Sequence, residues 1–440
     1  MTLSVYRAAI LHFLDDPARQ LDSSYEYFED GLLLVADGKI QAVGHASELL
    51  PTLPRDTAIT HYPQGLLTPG FVDTHIHYPQ TEMIAAYGEQ LLEWLDTYTF
   101  PTEQKFADKD YARGVAERFL DELLRAGTTT ALVFGTVHKQ SVDAFFEASA
   151  ERNLRMICGK VMMDRNAPDA LTDTPDSAYR DSRELIEKWH NCGRQRYAVT
   201  PRFAPTSSPQ QLQKAGDLLR EFPDVYMHTH LSENANEVVW VSELFPESEH
   251  YLDTYDQASL LGKRSVFAHC IHLQDREWQA LSDSRSKIAF CPTSNLFLGS
   301  GLFNLTRAEA EGIEVGVGTD VGAGTSFSIL QTLNEAYKVA QLRGDKLSPF
   351  KSFYLATLGG ARALDMDDLI GNFTPGKEAD FIVLDKACTP LMEFRLQQCR
   401  NLFETLFVFT MLGDDRAVQE TYAAGQLRHR RDSNAVPQTP

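Results

Sequence analysis

From about residue 65 to residue 364 the chain repeats one alternation. A short β-rich apolar run is followed by a stretch whose apolar positions recur at helical spacing. Eight runs read as strands: residues 67–77, 128–134, 155–162, 197–203, 225–231, 265–270, 287–291 and 313–319. The clearest helix spans 108–125. Asp108 can cap its start, Val115, Phe119, Leu120, Leu123 and Leu124 form an apolar stripe, and Gly127 ends it. A second spans 328–342. Strands alternating with helices predict a parallel sheet, and eight such units predict a closed (β/α)8 TIM barrel over residues 67–375. A doubly wound open sheet is the rival that the same alternation allows.

The flanks follow another pattern. Residues 32–36 and 39–43 are strand-like around the turn Asp37-Gly38, and residues 374–385 and 417–422 supply further β-rich pieces before a turn at Gly425. Neither flank holds enough apolar residues for a core of its own. Packed together, residues 1–66 and 376–440 would form one small β-domain beside the barrel. Residues 431–440 are polar, carry two prolines and read as a frayed end.

Size agrees with this division, because 440 residues exceed what one small core organises. The formal charge is −20, from 61 acidic and 41 basic residues, a field that repels a phosphate backbone and argues against a nucleic-acid partner. No run approaches the ~18 apolar residues of a membrane span, and the N-terminal residues do not read as a secretory signal. The six cysteines lack paired spacing and read as reduced thiols of a cytoplasmic protein.

Chemistry concentrates at the predicted strand ends, where barrels of this kind carry their reacting groups. Side chains alternate along a strand, so His75 and His77 point the same way from the first. The fifth strand ends at His230, the sixth at His269 and the eighth at Asp320. Imidazoles and a carboxylate converging from separate strands suit zinc, or iron or manganese, with one position left for water. His228 shares the face of His230 and is either an orienting group or one layer deeper. His138 and His272 read as surface or pocket-rim residues. Cys270 and Cys291 could be soft ligands, but the paired-cysteine signature of cytidine-type deaminases is absent. No phosphate loop or nucleophile elbow is present. Glu233, three residues beyond His230, is the natural proton carrier for a hydrolytic water.

The stretch Pro69 to His77, with His230, His269 and Asp320, resembles the amidohydrolase superfamily. That resemblance implies a metal-dependent hydrolase on a (β/α)8 barrel, with a β-sandwich built from both chain ends. The fourth strand ends Val199-Thr200-Pro201-Arg202-Phe203 without a lysine, which implies the mononuclear, deaminase-like branch. Within it the stretches His75 to Gln80, Leu91 to Glu103, Thr200 to Pro205, His230 to Asn234 and Gly318 to Gly322 are similar to the guanine deaminase family.

The resemblance implies one Zn2+ per subunit on His75, His77, His230 and Asp320, and guanine as the small-molecule substrate. Gln80 and Arg202 would hydrogen-bond the purine edge, Phe203 would stack on it and Trp94 would wall the pocket. His269 would hold the attacking water or the tetrahedral adduct, and Glu233 would shuttle the proton. His230, Glu233 and Asp320 would also touch the substrate. A homodimer is implied too. A related deaminase of another purine, a pterin, a triazine or a cytosine-like ring is the alternative, and a non-catalytic scaffold a more distant one.

Overall fold

The computed structural model describes residues 3–88 and 90–431, so most of the polar tail predicted to fray lies outside the described residues. From the N-terminal side come β1 (Leu3–Phe13), β2 (Tyr25–Ala36), β3 (Lys39–His45) and β4 (Ile59–Pro69). Then follow β5 (Phe71–His77), β6 (Thr128–Phe134), β7 (Arg155–Gly159), the two-residue β8 (Val161–Met162) and β9 (Arg196–Pro201). β10 (Tyr226–Leu231), β11 (Ser265–His269), β12 (Lys287–Phe290) and β13 (Val315–Val317) complete the central run. β14 (Phe381–Asp385), β15 (Val418–Ala423) and β16 (Gln426–Arg430) lie on the C-terminal side.

Eight strands, β5, β6, β7 and β9 to β13, hydrogen-bond in chain order as parallel neighbours. Hydrogen bonds draw the last and first strands together at the seam, among them these two. Thr74 Oγ1 donates to the Val317 carbonyl at 3.0 Å, and the Asp320 N–H donates to the His75 carbonyl at 2.9 Å. Val72, Leu132, Ile157, Ala198, Tyr226, Val266 and Ala289 come one from each of seven strands and pack in a single cluster, as a filled barrel interior requires. The barrel with its alternating helices is therefore the fold the periodicity predicted.

Both chain ends join in a second sheet of seven strands, ordered β16-β15-β14-β4-β1-β2-β3. β14 is the joint, pairing antiparallel with β4 on one side and β15 on the other. Its alternation divides the two cores: Phe381 and Val383 pack with Tyr6, Leu33 and Tyr422, while Ile382 and Leu384 pack with the barrel's helices.

Several boundaries differ from the sequence reading. The run 67–77 is two strands, because Pro69 has no N–H to continue a ladder and the chain changes sheets at Gly70. A Cβ at Gly70 would lie 2.2 Å from Thr129 Oγ1, so only glycine fits this crossing. The run 155–162 is interrupted at Lys160, leaving β7 and β8. β1 and β4 were not foreseen as complete strands: in β1 buried residues on both faces mask the alternation, and the first half of β4 is largely polar and exposed and carries Pro63. The helix Lys109–Arg125 starts where expected, with Asp108 accepting from the N–H groups of Asp110 and Tyr111. No helix among the described residues is long and apolar enough to cross a membrane.

Candidate active site

The carboxyl ends of the barrel strands bring four donors together. His75 Nε2 lies 3.2 Å from His77 Nε2 and 3.1 Å from Asp320 Oδ1. His77 Nε2 lies 3.3 Å from His230 Nε2 and 3.3 Å from Asp320 Oδ1. Ligands ~2.0–2.1 Å from a tetrahedral ion sit about 3.3–3.4 Å apart, so these separations suit one cation.

The tautomer of His230 agrees. His230 Nδ1 lies 2.7 Å from the Arg202 carbonyl, which can only accept, so Nδ1 carries the proton and Nε2 presents a bare lone pair. Burial drives protons off the imidazoles: His75 and His230 are lowered, and His77 falls to about 3. Burial works to raise the Asp320 carboxyl, but its contacts with His75 and His77 outweigh it and hold the group well below its usual range. Three imidazole nitrogens and a carboxylate oxygen converge at ligand spacing. The residues present therefore fit a single divalent metal.

Around these donors stands an orienting layer. His228 Nε2 lies 2.7 Å from His75 Nδ1, which resolves its ambiguity: it holds the ring of His75 from one layer deeper. Asp73 accepts from the His75 N–H and from the Thr319 N–H and hydroxyl, tying the first strand to the approach to Asp320. Burial raises its carboxyl to about 7. His269 and Asp320 adopt positive φ of 74° and 52°, and Ser232, just before Glu233, one of 50°. Such backbone is costly for side-chain-bearing residues and clusters where geometry serves chemistry.

The second half of the site faces the donors across a cavity of about 30 Å³. His77, Gln80, Trp94, Arg202, Phe203, His230, Glu233, His269 and Asp320 all line it, while His75 is buried behind them. His269 Nδ1 is 2.8 Å from Asn295 Oδ1, and its Nε2, without a hydrogen-bond partner among the described residues, lies 3.4 Å from Glu233 Oε2 and 3.8 Å from Asp320 Oδ2. Glu233 is buried rather than a surface cap. Burial, then the charge of Asp320, raises it to about 8, and Ser300 donates to its Oε1. Asn234 and Glu237 form the capping box instead, and Glu237 Oε2 also takes the Glu233 N–H at 2.9 Å. Burial raises Glu237 to about 7.

Gln80 is engaged within the protein. Its Nε2 lies 3.2 Å from His77 Nδ1, and its Oε1 accepts from the Gly322 N–H at 3.1 Å. Arg202 donates through Nη1 to both oxygens of Glu103. Trp94 and Phe203 share one apolar cluster with Leu91, Leu95, Phe100, Leu298 and Ala323.

Sequence reasoning missed Asn295, Ser300 and the hold of Glu103 on Arg202. Each acts from a loop or short helix that no spacing connects to the strand ends. His272 Nε2 donates to the Ser300 carbonyl, and neither it nor His138 lines the cavity. Cys270 and Cys291 are buried thiols whose pKa burial raises far above its usual value. Cys291 Sγ falls within 4.8 Å of His75 and Asp320 donors.

A parallel barrel with imidazoles and a carboxylate at its strand ends, beside a sheet built from both termini, defines a class of hydrolase. Residues 66–428 match the Amidohydrolase family, and the chain belongs to that family. Guanine deaminases stand among its relatives. The enzyme of Escherichia coli strain K12 is 56% identical over 419 residues, covering 95% of each chain. A solved structure of E. coli guanine deaminase superimposes with a TM-score of 0.94 at 53% identity, over 98% of this chain and 100% of that one. The guanine deaminase of C. acetobutylicum, solved with guanine bound in its active site, gives 0.87 at 29% identity over 97% and 100%.

Proposed function

We propose that the protein hydrolyses guanine to xanthine and ammonia, using one zinc ion per subunit held by His75, His77, His230 and Asp320. The observation that carries this reading is that three of the four donors, His77, His230 and Asp320, share one small cavity with Arg202 and Phe203. A divalent cation bound there would lower the pKa of a coordinated water towards ~7 and so supply hydroxide near neutral pH.

The protein's own groups do the rest. Arg202 hydrogen-bonds the purine carbonyl and draws electron density from the ring, which favours attack at the amine-bearing carbon. Phe203 offers an aromatic face to the planar base, Trp94 walls the pocket, and Gln80 reads the amide edge once it exchanges a protein partner for the substrate. Glu233 takes the proton of the attacking water and passes it to a ring nitrogen. His269 and Asp320 hold the new hydroxyl by hydrogen bonds. The proton of that hydroxyl then passes through Asp320 and Glu233 to the amine, and ammonia leaves as the C–N bond breaks and the carbonyl of xanthine forms. A carboxyl raised to about 8 suits a group that both accepts and donates near neutrality.

Residues 1–66 with 376–440 and residues 67–375 serve as the two domains of this enzyme, which acts in purine breakdown in the cytoplasm. Two copies associate as a homodimer. Exposed Leu391, Phe394 and Phe403 support that pairing, and light scattering that finds a monomer would refute it.

The test quantifies bound metal and then follows ammonia release from guanine, adenine, cytosine, a pterin and a triazine. About one zinc per chain and release from guanine are expected. Release from adenine or cytosine but not guanine would overturn the substrate assignment. An active protein free of transition metal would overturn the mechanism.

A further inference from the structure

Glu103 is the last residue of the short helix Phe100–Glu103 and is fully buried. Its Oε1 and Oε2 lie 3.0 and 2.8 Å from Arg202 Nη1, and Gln80 Nε2 lies 3.4 Å from Oε1. Among the described residues these are the hydrogen bonds that Arg202 makes to protein through its guanidinium, whose remaining face sits 5.6 Å from the centre of the Phe100 ring. One carboxylate thus grips the arginine, and through Gln80 it reaches His77.

This grip has two physical consequences. It fixes the planar guanidinium, so that its remaining donors face the cavity in one orientation. It also cancels the arginine's charge in a site where water is scarce and an unbalanced cation would dominate recognition. Guanine is neutral. Its deamination product places an N–H between two carbonyls, is more acidic, and becomes partly anionic above neutral pH. A bare arginine would hold that anion more tightly than the substrate.

We propose that Glu103 is a positioning and charge-balancing residue that makes the pocket select the neutral purine and let its ionised product go. The proposal rests on the reading of Arg202 as the partner of the purine carbonyl. The like-charge logic is that of specificity by exclusion: a carboxylate beside the reader disfavours the anionic competitor.

The test compares metal-loaded wild type, Glu103→Gln and Glu103→Asp. It measures KM for guanine, kcat, and inhibition by xanthine at about pH 6.5 and about pH 8.5, with thermal melts as a check of folding. For wild type, the ratio of the xanthine inhibition constant to KM should change less than about threefold between the two pH values. For Glu103→Gln it should fall at least about tenfold at the higher pH and far less at the lower, while Glu103→Asp restores wild-type behaviour. A merely structural role would raise KM at both pH values alike and leave the ratio flat, which overturns the proposal. Wild-type inhibition that tightens tenfold as xanthine ionises overturns it without either variant, and so does a lack of xanthine inhibition in every protein. Wild type that releases no ammonia from guanine would instead refute the underlying function, a separate readout.

Discussion

At the scale of residues, the candidate ligands were legible because two of them share one strand end. Alternation aims His75 and His77 together, and the apolar run before them marks where they emerge. The same rule could not separate His228 from His230, since both satisfy it; only depth does, with His228 bonded to the back of His75. Glu103 was beyond reach of spacing, because its partner Arg202 lies 99 positions away and on a different element. Glu233 was legible by proximity to His230, but its burial was not. Glu233→Gln retains shape and most hydrogen bonding while removing the carboxyl that carries the proton. Turnover should fall by about 10²–10⁴ with zinc content and melting temperature unchanged. Steady-state kinetics beside metal analysis measures both, and near-normal turnover would remove Glu233 from the shuttle.

At the scale of elements, helices were read well where side-chain caps mark them. Asp108 accepts from two N–H groups, and Ser328 accepts from Gln331 at the start of the helix Ile329–Arg343. Strand ends were read less well. A parallel sheet buries both faces, so an apolar run does not show where one ladder stops and the next begins. β7 illustrates this: it ends at Gly159, where a Cβ would lie 1.7 Å from the Ala198 carbonyl oxygen of β9. Close approach of two backbones, not chain flexibility, requires glycine there. Gly159→Ala must push β7 and β9 apart, so it should destabilise by at least about 3 kcal/mol. A urea titration reads the loss directly; a midpoint equal to that of the parent protein would show that the strands yield without cost.

At the scale of the whole molecule, the composite of both chain ends was foreseen because neither flank could form a core alone. What locks it to the barrel was not, since the lock is an ionic cluster between distant segments. Glu378, just before β14, accepts from Arg155 Nε at 2.7 Å and from Arg194 Nη2 at 2.8 Å. Arg194 also bonds Asp380, whose other oxygen takes the Ala424 N–H. Burial works to raise the Glu378 carboxyl, but the two guanidinium groups outweigh it and hold the pKa below its usual 4.5. A depressed carboxyl contributes stability that is present above its ordinary pKa and is lost as pH falls through the folded value. Glu378→Gln leaves two buried cations without their shared anion, so near pH 7 it should cost about 3 kcal/mol. Well into acid, once pH has fallen through that lowered value, the wild-type carboxyl itself becomes neutral, and the gap between the proteins should close. Urea unfolding at both pH values decides the matter: a gap of equal size in acid would mean that shape, rather than charge, joins the sheet to the barrel.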